Sequence, residues 1–237
     1  MRFCSELIPA TLVKRYKRFL ADVTLGDGKL STVHVANPGA MLGLQVPGSR
    51  IWLSRSPNLK RKLPLSLELI EADFGGGPEL VGINTSNPNA IVAKALQAGA
   101  IEELRGYDVM RREVKYGRAS RVDFLLQQPT RPDCYVEVKN VHLMRQRGLA
   151  EFPDSVTDRG ARHLAELADV ARTGGRAVML FVIQIGSAVS FDLARDIDPA
   201  YAAAFDAARA AGVKMIAYKC SVQLDSVVLG TSVPIEL

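Results

Sequence analysis

Glycine and proline punctuation constrains this chain more than any other feature. "GDG" (26–28), "NPGAMLG" (37–43), "VPGS" (46–49) and "FGGGP" (74–78) interrupt the first third so often that long helices do not fit between them. The segments left over, roughly 12–24, 30–36, 49–56, 65–74 and 79–84, read as short strands. Five short strands over this length fit a small OB-like barrel. The first segment reads two ways. Leu12, Tyr16, Phe19 and Val23 recur at helical spacing, with Lys14, Arg15, Lys17 and Arg18 on the other side, as in a basic amphipathic helix. We take it as one bent strand.

Beyond residue 85 the pattern changes. "NAIVAKALQAGAIEEL" (89–104) reads as a helix with Asn87 or Asn89 near its cap and Gly106 past its end. Strands are expected at 111–116, 121–127 and 134–140. A helix follows, capped by Ser155 or Thr157 and stopped by Gly174–Gly175. Next come a strand at 177–184, a helix opened by Asp198–Pro199 and closed by Gly212, and a strand at 213–220. The expected fold class is α/β overall, with a barrel domain at 1–85 and an α/β domain at 86–237.

With 237 residues, 48% apolar and 23% charged, the chain has material for two globular domains. Its longest apolar run, "AVMLFVI" (177–183), suits a buried strand and is too short for a membrane helix. The N-terminus lacks the apolar core of a signal peptide. Cys4, Cys134 and Cys220 are odd in number and form no C-x-x-C, which suggests a reducing cytoplasm. Charge is uneven: residues 1–62 carry 11 Lys/Arg against 3 Asp/Glu, and the remainder is nearly balanced. A basic end of this kind recruits polyanions, nucleic acid most commonly, although a solvated basic surface has the same composition.

"CYVEVKN" (134–140) has the apolar residues of a buried strand, yet Glu137 and Lys139 share one face of it. The connection "QPTRPD" (128–133) makes 121–127 and 134–140 a hairpin. Centred near Thr130, that hairpin sets Asp123 opposite Glu137, with Lys139 one step along the same face. Opposed carboxylates repel unless neutralised. A divalent cation would do so: Mg²⁺ or Mn²⁺ takes one or two carboxylates and completes its shell with water and phosphate oxygens. Such a site would polarise a phosphodiester, with Lys139 orienting water or stabilising transition-state charge. A plain salt bridge from Lys139 to one acid accounts for the same residues without chemistry.

Asp123, thirteen residues, then Glu137-Val138-Lys139, framed by helix–β–β–β–helix–β, resembles the PD-(D/E)xK nuclease superfamily. The whole chain is similar to the sugar fermentation stimulation protein family. The matching residues are "RYKRFLADV" (15–23), "NPGAM" (37–41), "REVKYG" (112–117), "SRVDFLL" (120–126), "CYVEVKN" and "FPDSVTDRGARHLAEL" (152–167). The resemblance implies an OB-fold joined to a nuclease-like domain, and a DNA-binding protein once proposed to regulate sugar metabolism. Val122 stands where the superfamily motif has proline. The literal Pro132–Asp133 lies in the turn, too close to Glu137 to face it.

The candidate catalytic residues are therefore Asp123, Glu137, Lys139 and Glu113, the last as an upstream third carboxylate. Asp123 and Glu137 are the candidate metal ligands. Glu103 is an alternative third acid. Arg159 and His163, four apart on one helix face, are phosphate contacts or, for His163, a structural residue. Candidate nucleic-acid contacts are Arg15, Lys17, Arg18, Lys60, Arg61, Lys62, Arg121 and Arg159, mostly to the backbone. Tyr16 and Phe19 fit the barrel core better than a stacking surface. Two functions stay open: a Mg²⁺- or Mn²⁺-dependent nuclease acting on DNA, or a non-catalytic DNA-binding regulator using the nuclease fold as a platform.

Overall fold

The computed structural model describes residues 1–117 and 120–236. The N-terminal part contains strands β1 (Ile8–Tyr16), β2 (Leu20–Leu25), β3 (Leu30–Val35), β4 (Arg50–Arg55), β5 (Leu65–Asp73) and β6 (Pro78–Gly82). They pair in the order β3-β2-β1-β4-β5-β6, and a parallel β3–β5 pairing through His34↔Ser66 and Val35↔Leu67 closes the first five into a barrel. Alternation sends Ala10, Leu12, Ala21, Val23, Val33, Val35, Ile51 and Leu53 into the barrel core.

Two expectations need correction. The segment read as one bent strand, 12–24, is most of a hairpin. The helix-like spacing of Leu12, Tyr16, Phe19 and Val23 is incidental: Leu12 and Val23 face the core from paired strands, and Phe19 is exposed. Lys17 and Arg18 turn the chain at φ 48° and 60°. That conformation is uncommon without glycine, so the sequence carries no turn signal here. The last segment, β6, lies outside the barrel, hydrogen-bonded to β5 only within this sheet.

The C-terminal part is built on a sheet in the order β15-β14-β12-β9-β8-β7. Its strands are β7 (Val109–Tyr116), β8 (Ser120–Gln127), β9 (Cys134–Val141), β12 (Arg176–Ile183), β14 (Lys214–Val222) and β15 (Val227–Val233). β9, β12 and β14 run parallel and carry the apolar residues of a sheet covered on both faces. Helix α1 (Pro88–Gln97) packs on one face through Ile91, Val92 and Ala95. Helices α2 (Asp158–Arg172) and α3 (Pro199–Ala210) cover the other, with Leu164, Leu167, Phe205 and Phe181 in a core continuous with the barrel interior. Helix α1 stops at Gln97, short of the expected 104: Gly99 at φ 62° breaks it, and a separate 3₁₀ turn follows at Glu102–Leu104. A small second sheet of β10 (Leu143–Gln146), β11 (Leu149–Phe152) and β13 (Ser190–Leu193), and the edge strand β15, were not expected from sequence.

Polar groups join the two parts. Gly82 donates its N–H to the Gln184 carbonyl at 3.1 Å, and a Cβ on Gly82 would collide with the Gln184 side chain, which favours glycine there. The "NPGAM" loop docks on Asp154, whose Oδ2 accepts the Met41 N–H at 2.7 Å and contacts His142 Nε2 at 3.1 Å. Asn37, fully buried, donates to the Ile83 carbonyl of its own part at 2.9 Å and reaches across to His142 Nε2 at 3.3 Å.

Candidate active site

β8 and β9 pair through Phe124↔Val136, Leu125↔Tyr135 and Leu126↔Cys134, the register of a hairpin centred on Thr130. The ladder stops at Phe124↔Val136. One step further, the Asp123 side chain replaces a backbone acceptor: its Oδ2 takes the Val138 N–H at 2.7 Å. Asn89, at the start of α1, donates to the other oxygen, Oδ1, at 2.7 Å. The strands thus part where the two acids meet.

Glu137 is 3% exposed. Its Oε1 accepts from Lys139 Nζ at 3.0 Å and from His163 Nδ1 on α2. Its Oε2 is buried with no hydrogen-bond partner among the described residues. His163 Nε2 accepts from Arg159 Nε at 3.3 Å, so the tautomer with its proton on Nδ1 satisfies both contacts.

The two acids are held in different states. Burial, and then the charge of Glu137, raise Asp123 to about 6, against the N–H of Val138, the Asn89 amide and Lys139. Burial also pushes Glu137 up, but the His163 hydrogen bond and the Lys139 charge outweigh it, leaving Glu137 below the usual carboxylate range. One acid is therefore ionised at neutral pH, and its neighbour titrates close to it. Tyr116 has a buried hydroxyl without a partner among the described residues. Its ionisation is pushed far up by burial, then by Glu137, Glu166 and Asp123.

Asp123, Glu137 and Lys139 come together here. Glu113 does not join them as an inward acid: it is exposed, at φ 52°, in a break between the Arg112↔Phe124 and Val114↔Val122 pairs. Glu103 is engaged elsewhere, its Oε2 accepting from Tyr218 Oη on β14 at 2.6 Å. The sequence marks Asn89 only as a helix cap, but one position inside the first turn its amide is free to reach Asp123. The N-cap Asn87 makes no capping bond and donates to Glu68 Oε2 at 2.9 Å. The "SNPN" run is the available signal for both.

The basic candidates separate. Lys17 and Arg18 are exposed in the β1–β2 turn. Lys60, Arg61 and Lys62 lie in the loop between β4 and β5, and Arg121 and Arg159 are exposed on β8 and α2. Arg15 is committed elsewhere. Its guanidinium donates to the carbonyls of Arg18, Asn37, Gly39 and Ala40 at 2.8–3.1 Å, bracing the β1–β2 turn and the "NPGAM" loop.

The family model described as the "SfsA N-terminal OB domain" matches residues 13–83, and that for the "Sugar fermentation stimulation protein RE domain" matches 86–226. The chain belongs to the sugar fermentation stimulation protein family. A homologue from Azorhizobium caulinodans is 57% identical over 234 residues, covering 99% of each chain. One from Rhodospirillum centenum is 58% identical over 227 residues, covering 96% of each. A solved structure described as Pyrococcus furiosus SfsA in complex with Ca²⁺ superposes with TM-score 0.89 at 24% identity, covering 100% of this chain and 98% of that one. That likeness supports the two-part fold of an OB barrel followed by an α/β domain. Among the described residues, no helix is long and apolar enough to cross a membrane.

Proposed function

We propose that this family member binds DNA and hydrolyses phosphodiester bonds at Asp123, Glu137 and Lys139 with Mg²⁺ or Mn²⁺. The observation that carries the reading is the pair of acids at the parted strands, one of them offering a buried, unpartnered oxygen. A fold needing only a salt bridge would not gain from a second buried carboxylate beside the first. The donor set fits the ion: Glu137 Oε2 is free of hydrogen bonds among the described residues, and each Asp123 oxygen keeps a lone pair beyond its single bond. The Ca²⁺ of the Pyrococcus furiosus relative is another hard, oxygen-seeking cation, which supports the same chemistry here.

When bound, the ion supplies a polarised phosphoryl oxygen and a water of lowered pKa. Hydrolysis forms one O–P bond from water, breaks the P–O bond to the leaving nucleotide, and leaves the water's proton on the departing oxygen or in solvent. Lys139 offsets charge growing on the phosphoryl oxygens. His163 is a positioning residue: it holds Glu137 Oε1, which keeps Oε2 clear. Lys17, Arg18, Lys60, Lys62, Arg121 and Arg159, with half-buried Arg61, supply phosphate contacts that carry little sequence information.

The test is cleavage of single-stranded, duplex and branched DNA with Mg²⁺ or Mn²⁺ by wild type and Asp123→Asn. Metal-dependent products from wild type alone support the reading. No cleavage of any form by metal-bound wild type defeats the catalytic half of it.

A further inference from the structure

The outer face of the barrel carries an aromatic pair that the hydrolytic site does not use. Phe19, 46% exposed, stacks on His34 with ring planes 7° apart and centroids at 6.5 Å. The pair spans β2 and β3: Leu20 pairs with His34, and the Phe19 carbonyl accepts the Val35 N–H at 2.8 Å. Phe19 therefore has a backbone fixed by the sheet, and its ring lies nearly parallel to the His34 imidazole and offset from it. Burial, and then Arg61, push His34 below its ordinary value, so at neutral pH it is an uncharged π surface.

Cations frame this pair. Lys17 and Arg18 form the turn that presents Phe19, and Arg61 comes from the β4–β5 loop together with Lys60 and Lys62. The acid on the neighbouring outer face, Asp22, accepts from Tyr16 Oη at 2.9 Å and Thr32 Oγ1 at 2.8 Å and is paired with Lys14 at 3.7 Å. An exposed aromatic ring that follows a cationic turn, with Arg61 acting on its partner His34, suits a polyanion whose bases are available for stacking.

The face also leads to the acids. His34 pairs with Ser66, and two residues along the same face of β5 lies buried Glu68. Glu68 accepts from Ser54 Oγ at 2.6 Å and from the amides of Asn84 and Asn87, both at 2.9 Å. Asn87 opens α1, and Asn89 of the same turn donates to Asp123. Glu68 thus ties the barrel to the start of α1, the turn that also supplies Asn89 to Asp123.

We infer that Phe19 and His34 form a stacking platform for an unpaired base of single-stranded DNA, next to the cationic turn and loop. Duplex DNA offers no free base face, so the platform selects single strands, or junctions and tails that contain them. This rests on the DNA-binding reading above and adds the form of DNA recognised.

The test is titration, in Ca²⁺, of a single-stranded oligonucleotide, the same strand with abasic residues, and a duplex. The proteins are wild type, Phe19→Ala and Phe19→Trp, each checked for unchanged melting, which the exposure of Phe19 permits. Phe19→Ala is expected to weaken binding of the base-containing strand about five- to one-hundred-fold while leaving the abasic strand and duplex unaffected, and Phe19→Trp to restore it. Equal losses on all three ligands, or no loss on any, overturn the platform and leave DNA binding standing. Wild type that binds none of the three defeats the DNA-binding reading and the platform with it.

Discussion

The Asp123 carboxylate accepts the Val138 N–H at 2.7 Å, standing where a continued β8–β9 ladder would place a backbone carbonyl. One side chain thereby satisfies the opened strand and faces Glu137. The arrangement is electrostatically costly, because burial and Glu137 together raise Asp123 to about 6. A carboxyl raised in the folded state destabilises the fold once it must ionise. Its favourable contribution is complete below the unfolded value of about 4 and is lost as pH rises through about 6. Metal-free Asp123→Asn is expected to be about 1–3 kcal/mol more stable than wild type at pH 8 and no more stable below pH 4. Urea unfolding at the two pH values checks this. Mn²⁺ affinity of wild type should fall steeply below about pH 6, where the ion must displace a proton, by calorimetric titration.

His163 shifts Glu137 in the opposite direction. Its hydrogen bond is the foremost influence that lowers Glu137 against burial. His163→Ala should raise Glu137 and move the acid limb of metal binding and cleavage to higher pH, with a stability loss of about 1–3 kcal/mol from the hydrogen bond removed from a buried acid. His163→Gln, which can still donate, should recover much of the pH profile. An unmoved profile in His163→Ala would remove His163 from the account.

How much of this was legible in sequence follows from what each signal depends on. The meeting of Asp123, Glu137 and Lys139 depends on strand period and one hairpin centre, both local, and both were readable. Asn89 and His163 reach the acids from helices before and after the hairpin, and only the packed fold brings them there. The barrel's short-strand character was readable from its breakers. Its membership was not, because the Lys17–Arg18 turn lacks glycine and the Arg15 clamp that supports it depends on the fold. Strands of four residues such as β10, β11 and β13 are too short to show a period.

Arg15 and its neighbours should behave differently in binding. Replacing Lys17 and Arg18 with alanine should weaken DNA binding and flatten the salt dependence by about 0.9 for each phosphate no longer neutralised. Arg15→Ala should instead lower thermal stability, since it releases carbonyls in two loops. Salt titrations and melting curves of both variants separate the roles. A flattened slope with unchanged melting for Arg15→Ala would return it to the DNA surface.

Asp154 ties the "NPGAM" loop to the second domain. Burial raises it, but His142 and the Met41 N–H outweigh that and leave it below the ordinary range. A depressed carboxyl contributes stability above its unfolded value of about 4, lost as pH falls through its lower folded value. Asp154→Ala should therefore cost stability at pH 7 and much less in acid. Gly39→Ala should also destabilise by about 1–3 kcal/mol, because its Cβ would collide with the Asp154 carboxylate. Denaturant midpoints across pH measure both.

Lys139 acts, on this account, on charge that grows in a phosphodiester transition state. The direct measurement pairs DNA affinity in Ca²⁺ with single-turnover cleavage in Mg²⁺ or Mn²⁺ for wild type and Lys139→Met. The expected result is nearly unchanged affinity with cleavage reduced about 10²–10³-fold or more. Wild type that holds metal and DNA without cutting any form, and a Lys139→Met variant that only binds DNA more weakly, would contradict it and leave a binding platform.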